Sequence, residues 1–206
     1  MINLLQLPEF LEELLLINEN FFYVTDKTIF WEKTRDISYH DFYNFLRKYV
    51  KNINMVYPYY FKLTKIVLLK NSVDYIPHSF CNYYEQLTTL VVHSKKLYNL
   101  PSNIGNLKKL KRLYVNDCNL SYLPDSICDI STLSNIYCCD NNIVEFPENI
   151  GKLPNLKEIV ANNNRIENIP KSFFKLKLSS IHLLNNNNLS ISDKNLLIEL
   201  YPHIFI

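Results

Sequence analysis

The residues in this 206-residue sequence that could do chemistry are two carboxylates, five cysteines and five histidines, and their spacing decides what they can do. Asp117 and Asp140 stand 23 positions apart. As an acid/base pair they would need a cleft and environments that pull their pKa values apart. As a calcium site they would need more oxygen ligands than Asn116 alone can add. Cys118, Cys128 and Cys138 recur at tens, which is not a zinc-ligand spacing. Cys139 and His93 would form a thiolate–imidazole pair only within hydrogen-bond reach. The histidines include no H-E-x-x-H pair. The chain holds only two glycines, Gly105 and Gly151, so it carries neither G-x-G-x-x-G nor G-x-x-x-x-G-K-[ST]. No constellation supports an enzyme, a metal or a cofactor. With 27 asparagines present, turns that need positive φ fall to Asn.

Bulk properties narrow the class further. The net charge is +2 and hydrophobic residues make up 48%, which fits a folded chain with no strong field toward nucleic acid or membrane. Glu9, Glu12 and Glu13 interrupt the leucines of the first residues, so the start does not read as a signal peptide, and no run reaches transmembrane length. Five cysteines without an export signal read as free thiols in a reducing compartment, here assigned to the cytoplasm.

The elements that would position these residues come from self-similarity. Unit starts fall at Leu63, Leu87, Leu110, Leu133, Leu156 and Leu178. Apolar residues follow three and five places on, as in Leu113 and Val115 or Ile136 and Cys138. Eight places on stand Asn71, Lys95, Cys118, Asn141, Asn164 and Asn186. An apolar-Pro step comes next (Ile76-Pro77, Leu100-Pro101, Leu123-Pro124, Phe146-Pro147, Ile169-Pro170). Three residues past each proline sits Phe80, Ile104, Ile127, Ile150 or Phe173. Alternation with period two predicts a short strand with one face inward. The Asn after it can bond backbone groups of neighbouring turns. The proline opens a 3₁₀ or helical turn. Each unit buries its leucines only against the next, giving a one-dimensional stack.

This pattern, over residues 63–189, resembles the leucine-rich repeat family, L-x-x-L-x-L-x-x-N-x-L-x-x-L-P-x-x-I, in its short 23-residue cytosolic form, seen in Ras-suppressor-like and plant intracellular Ras-group-related proteins. The resemblance implies an α/β solenoid of about six repeats, with a parallel sheet on the concave side and short 3₁₀ or α segments on the convex side. It also implies that Cys118 is tolerated in the Asn slot. Lys95 cannot accept a hydrogen bond there, so the ladder is expected to be broken or water-filled. Asn188 sits where an apolar residue belongs, so a distortion is expected around Asn185–Asn188. Residues 190–206 read as a capping helix, opened by Ser192 and ended by Pro202, and a terminal strand with Tyr201, Ile204 and Ile206 in phase. The glycines share one convex slot with Cys81, Cys128 and Phe174, so glycine there reads as permitted rather than required.

The register also names the outward residues. Tyr114 and Tyr137 become neighbours on adjacent strands about 4.8 Å apart, as do Asp117 and Asp140. With Arg112, Asn116, His93, Cys139 and Asn162 they form a candidate protein-binding patch, since Tyr and Arg dominate interface hot spots. Two adjacent carboxylates would attract a partner's Lys or Arg. Lys95, Lys96, Lys108, Lys109, Lys111 and Arg112 read as one basic cluster, with Tyr98 and Tyr114 as nearby aromatics for nucleic acid; the weight of the sequence is toward another protein as partner. Residues 1–62 fall outside the repeat and are rich in aromatics. They read as an N-terminal α+β cap, or as a degenerate F-box-like segment, from Leu7-Pro8, that would make the chain a ubiquitin-ligase adaptor.

Overall fold

Two to four residues of alternating pattern in each unit become a strand, and the strands stack in chain order. The computed structural model describes residues 65–68, 73–202 and 204–206. The cap and F-box readings of residues 1–62 lie outside them, as does Asn71. The strands are β1 (Lys65–Leu68), β2 (Thr89–Val92), β3 (Arg112–Tyr114), β4 (Asn135–Tyr137), β5 (Glu158–Val160), β6 (Ser180–His182) and β7 (Ile204–Phe205). They form one parallel sheet in the order β1 to β7. Lys65, Thr89, Arg112, Asn135, Glu158 and Ser180 stand in one row, the spacing of the unit starts. The inward residues Leu90, Leu113, Ile136, Ile159 and Ile181 of β2 to β6 are at most 1% exposed.

The return segments sit on the opposite face of the core. They are helix α1 (His78–Tyr83) and 3₁₀ turns at Ile104–Asn106, Asp125–Asp129, Ile150–Lys152 and Lys171–Lys175. Each follows a proline whose carbonyl accepts the N–H three residues on: Phe80, Ile104, Ile127, Ile150 and Phe173. Those five side chains are at most 1% exposed. The proline therefore starts the turn without losing a needed donor and aims the next apolar residue into the core.

Between the two layers runs a ladder of polar side chains. The Asn141 amide donates to the carbonyls of Val115 (2.8 Å), Cys138 (3.1 Å) and Cys139 (2.9 Å), while its oxygen accepts from Leu120 N (3.0 Å). Asn164 repeats this with Cys138, Ala161 and Ile143, and Asn186 with Ala161, Leu183 and Ile166. The Cys118 thiol donates to Val92 O at 3.7 Å. In the second unit the expected break is bypassed. Ser94, one residue earlier, turns inward, is fully buried and donates to Val73 O at 2.8 Å, and the Lys95 side chain stays 70% exposed. The extra residue of the sixth unit is absorbed in the turn at Asn187–Asn188, leaving Leu189 buried and the Asn186 bonds intact.

Both glycines prove to be required where they stand. A Cβ on Gly105 or Gly151 would collide with the carbonyl oxygen of Ser126 or Ser172 in the next unit, and each glycine N–H donates to that serine's hydroxyl (3.3 and 3.1 Å). Neither glycine has positive φ. The turns alternate in step, three residues long where they carry glycine and five where they carry Ser126 or Ser172. At the C-terminal end, helix α2 (Ile191–Leu200) is capped by Ser190, two residues before the serine picked from the sequence. The Ser190 hydroxyl accepts from Asp193 N, and the Asp193 carboxylate accepts from Ile169 N, both at 3.1 Å.

Asn141→Ala strands several buried backbone groups and is expected to cost about 2–4 kcal/mol in urea unfolding. Gly151→Ala is expected to cost about 1–3 kcal/mol by overpacking. A Gly151→Ala protein as stable as wild type would show that the units do not stack this closely.

Candidate functional site

Alternate positions of each strand face outward, and the register lines these up into rows across the sheet. The middle row runs Val91, Tyr114, Tyr137, Val160, His182 and Phe205. Tyr114 and Tyr137 face each other in register, with ring centroids 4.5 Å apart and planes within 4°. His182 and Phe205 stack in the same way, at 4.5 Å and 16°. His182 and Phe205 stand four places after Leu178 and Tyr201, the same offset as the tyrosines from their unit starts.

Tyr137 is held by groups on either side. Its hydroxyl donates to Glu158 Oε2 at 2.5 Å, and Asn135 Nδ2 donates to that same oxygen at 2.8 Å. Ser134 fixes Asn135 in turn, donating to its Oδ1 at 2.5 Å. Burial, then the bond to the Glu158 carboxylate and that carboxylate's charge, push the Tyr137 hydroxyl up to about 12. Asn135 stands two residues before Tyr137 on the same strand, and the register of β5 against β4 brings Glu158 beside both.

Asp117, Asp140, Asn163 and Asn185 occupy one turn position and all have positive φ (49°, 56°, 57° and 60°). Asp and Asn tolerate this left-handed region better than most residues, which accounts for the carboxylates without any catalytic role. The sequence assigned such turns to Asn; Asp shares them. Asp117 is already paired, with His93 Nε2 at 2.9 Å and Lys95 Nζ at 3.5 Å. Asp140 Oδ1 accepts from Asn163 Nδ2 at 2.7 Å, and Asn163 Oδ1 from Asn185 Nδ2 at 2.6 Å. Asn116 and Asn162 also serve the backbone: their oxygens accept from Cys139 N (2.8 Å) and Leu184 N (2.9 Å). Arg112 is exposed on β3 and makes no ion pair among the described residues.

Chemistry at the thiols is disfavoured. Cys139 is half-buried, its Sγ donates to Val160 O at 3.7 Å, and burial pushes its thiol up. Burial likewise raises Cys81 to about 12, Cys128 to about 11, and Cys118 and Cys138 above the usual range. His93 is taken by Asp117 rather than by Cys139. No group of three or more His, Cys, Asp or Glu converges as a metal site among the described residues. The six basic residues do not form one cluster. Lys95 and Lys96 follow β2, whereas Lys108, Lys109 and Lys111 precede β3, so they lie at opposite ends of the strands. Lys109 is bonded to Gln86 and Lys108 to the Asp129 carbonyl. No helix among the described residues is long and apolar enough to cross a membrane.

One solved structure with the same arrangement is that of an LRR protein of Leptospira interrogans. It is 21% identical, with a TM-score of 0.63 over 76% of this chain. The fold is a leucine-rich repeat solenoid. The match spans 42% of that protein's length. No protein-family pattern matches the sequence, and no curated protein matches it.

Raised thiol pKa values and burial lead to a direct test. At pH 7.5 the native protein is expected to resist alkylation by iodoacetamide, while protein unfolded in guanidinium takes up five labels. Rapid native labelling of Cys139 would show a reactive thiol on the sheet face.

Proposed function

We propose that this chain is a non-enzymatic, intracellular protein-interaction module that recognises a partner protein on its sheet face. The observation that carries this reading is the stacked Tyr114–Tyr137 pair at the centre of that face, locked by Glu158 and Asn135. Rigid tyrosines offer large contact area at low entropic cost, and tyrosine and arginine are enriched among hot spots. Arg112, exposed on the same strand as Tyr114 and without an ion pair among the described residues, supplies a cation beside them. Asp140 is the more available of the two carboxylates, because Asp117 already holds His93 and Lys95. His93 and Cys139 border the patch, and Asn116 and Asn162 shape it through the backbone they bind. The short cytosolic repeat type and a cytoplasmic location fit the five free cysteines.

Truncating both rings while keeping the inward residues intact tests this. Affinity capture with wild type and with Tyr114→Ala/Tyr137→Ala, each checked for native circular dichroism, is expected to show partners lost from the variant. A loss of about 30-fold in affinity corresponds to one strong hot spot. A folded double variant that keeps every partner would overturn the reading.

A further inference from the structure

The parallel sheet is open at β7. Along the stack Cys138, Ala161 and Leu183 each donate their N–H to a carbonyl of the next strand, at Val160, His182 and Phe205. Ile206 holds the same place in the last unit, five residues after Tyr201, and no strand lies beyond β7 among the described residues. The ladder alternates, so Phe205 turns its carbonyl to β6 while Ile204 turns its own away. The Ile204 N–H is used within its own turn, by the Tyr201 carbonyl at 3.0 Å. The edge therefore offers one donor, at Ile206, and one acceptor, at Ile204.

Apolar surface is open at the same end. Ile204 and Ile206 pack on the core yet stay partly exposed, whereas Ile181 and Leu183, one strand back, are buried. Asp193 ties one side of α2 to the preceding unit through Ile169 N. Ile191 and Ile198 stand on the other side of that helix, two turns apart, and are 77% and 54% exposed. Phe205 is 52% exposed. These five side chains leave roughly 400 Å² of apolar surface open, a patch of the size that is often functional. No charged residue or proline stands in β7 to keep a second strand away.

We propose that this end binds a second copy of the chain across a two-fold axis beside Phe205. Antiparallel pairing of the two β7 strands sets the Ile206 N–H of each copy against the Ile204 carbonyl of the other, so the edge is complementary to itself. Phe205 then faces its counterpart as a non-hydrogen-bonded pair, about 4.5 Å between Cα atoms, and the His182–Phe205 stack continues into the second copy. The same axis turns the Ile191–Ile198 sides of the two helices toward each other. Two patches supply about 800 Å² of apolar area, and a homodimer interface about 65% apolar would then bury about 1,200 Å², the lower end for specific interfaces. A head-to-tail contact would need a matching opening at the other end of the core, but Val73, Phe80 and Tyr84, in the first described turn, are 1% exposed.

Sedimentation equilibrium of the full chain from about 1 to 300 µM, the range suited to an interface of this size, tests the proposal. The mass is expected to rise from one chain to two and stop there. Ile198→Glu/Phe205→Glu changes two exposed positions, sets like charges across the axis, and is expected to stay monomeric throughout. Ile206→Pro takes away the outward N–H, where edge strands accept proline, and is expected to weaken the dimer at least about tenfold, since two hydrogen bonds are lost. Circular dichroism of each variant separates lost pairing from lost fold. Tyr114→Ala/Tyr137→Ala is expected to dimerise as wild type does. Monomer at every concentration, growth beyond two copies, or a dimer that withstands both edge variants overturns the proposal. A dimer abolished by the tyrosine variant would put the contact on the sheet face and overturn it as well.

Discussion

Backbone groups at the turn after each short strand must find partners inside a protein, and this requirement organises the rest of the molecule. A strand of three residues cannot satisfy the loop that follows it, and water is excluded from the core. Asn141, Asn164 and Asn186 solve this by bridging two units at once, with the amide toward carbonyls and the oxygen toward an N–H. Because each asparagine reaches into the preceding unit, the bond that completes the turn also sets the register. Cys118 and Ser94 fill the same space with weaker or simpler bonds, toward Val92 and Val73.

A locked register has a functional consequence. Side chains four places after each unit start fall in one line, so ring-bearing residues 23 apart in sequence stack face to face. Tyr114 and Tyr137 do so with ring centroids 4.5 Å apart and planes nearly parallel, a separation that parallel aromatic pairs favour. The sheet and the Glu158 bond hold them there. The same logic sorts the polar residues by purpose. Asn116, Asn162, Asn163 and Asn185 are bonded to backbone or to each other, whereas Arg112, Lys157 and the outer side of Asp140 face solvent.

How legible this was in the sequence depended on whether a residue's role is periodic. Strand rows, the proline-started turns and the Tyr114–Tyr137 neighbourhood follow from a repeat, and period is what a sequence displays. Roles that depend on a contact between units do not show. Gly105 and Gly151 looked optional because Cys81, Cys128 and Phe174 share their slot, yet each faces a serine carbonyl too close for a Cβ. Lys95 looked like a broken rung because sequence cannot show that Ser94 turns inward in its place. The carboxylates suggest a paired site by their spacing; their common cause is a left-handed backbone position, and one of them is held by His93 and Lys95. The apparent basic cluster was an artefact of reading along the chain, since parallel strands send residues before and after them to opposite ends of the sheet.

The account stands or falls on which face meets a partner. Amide hydrogen exchange on the full chain, with and without a captured partner, measures this directly. The account predicts slowed exchange at amides of β3 to β6 and the turns after them, around Tyr114, Asp117, Tyr137, Asp140 and Val160. The turns at Asp125–Asp129 and Lys171–Lys175 should exchange as in the free protein. Protection centred on those turns, with the strands unchanged, would contradict it.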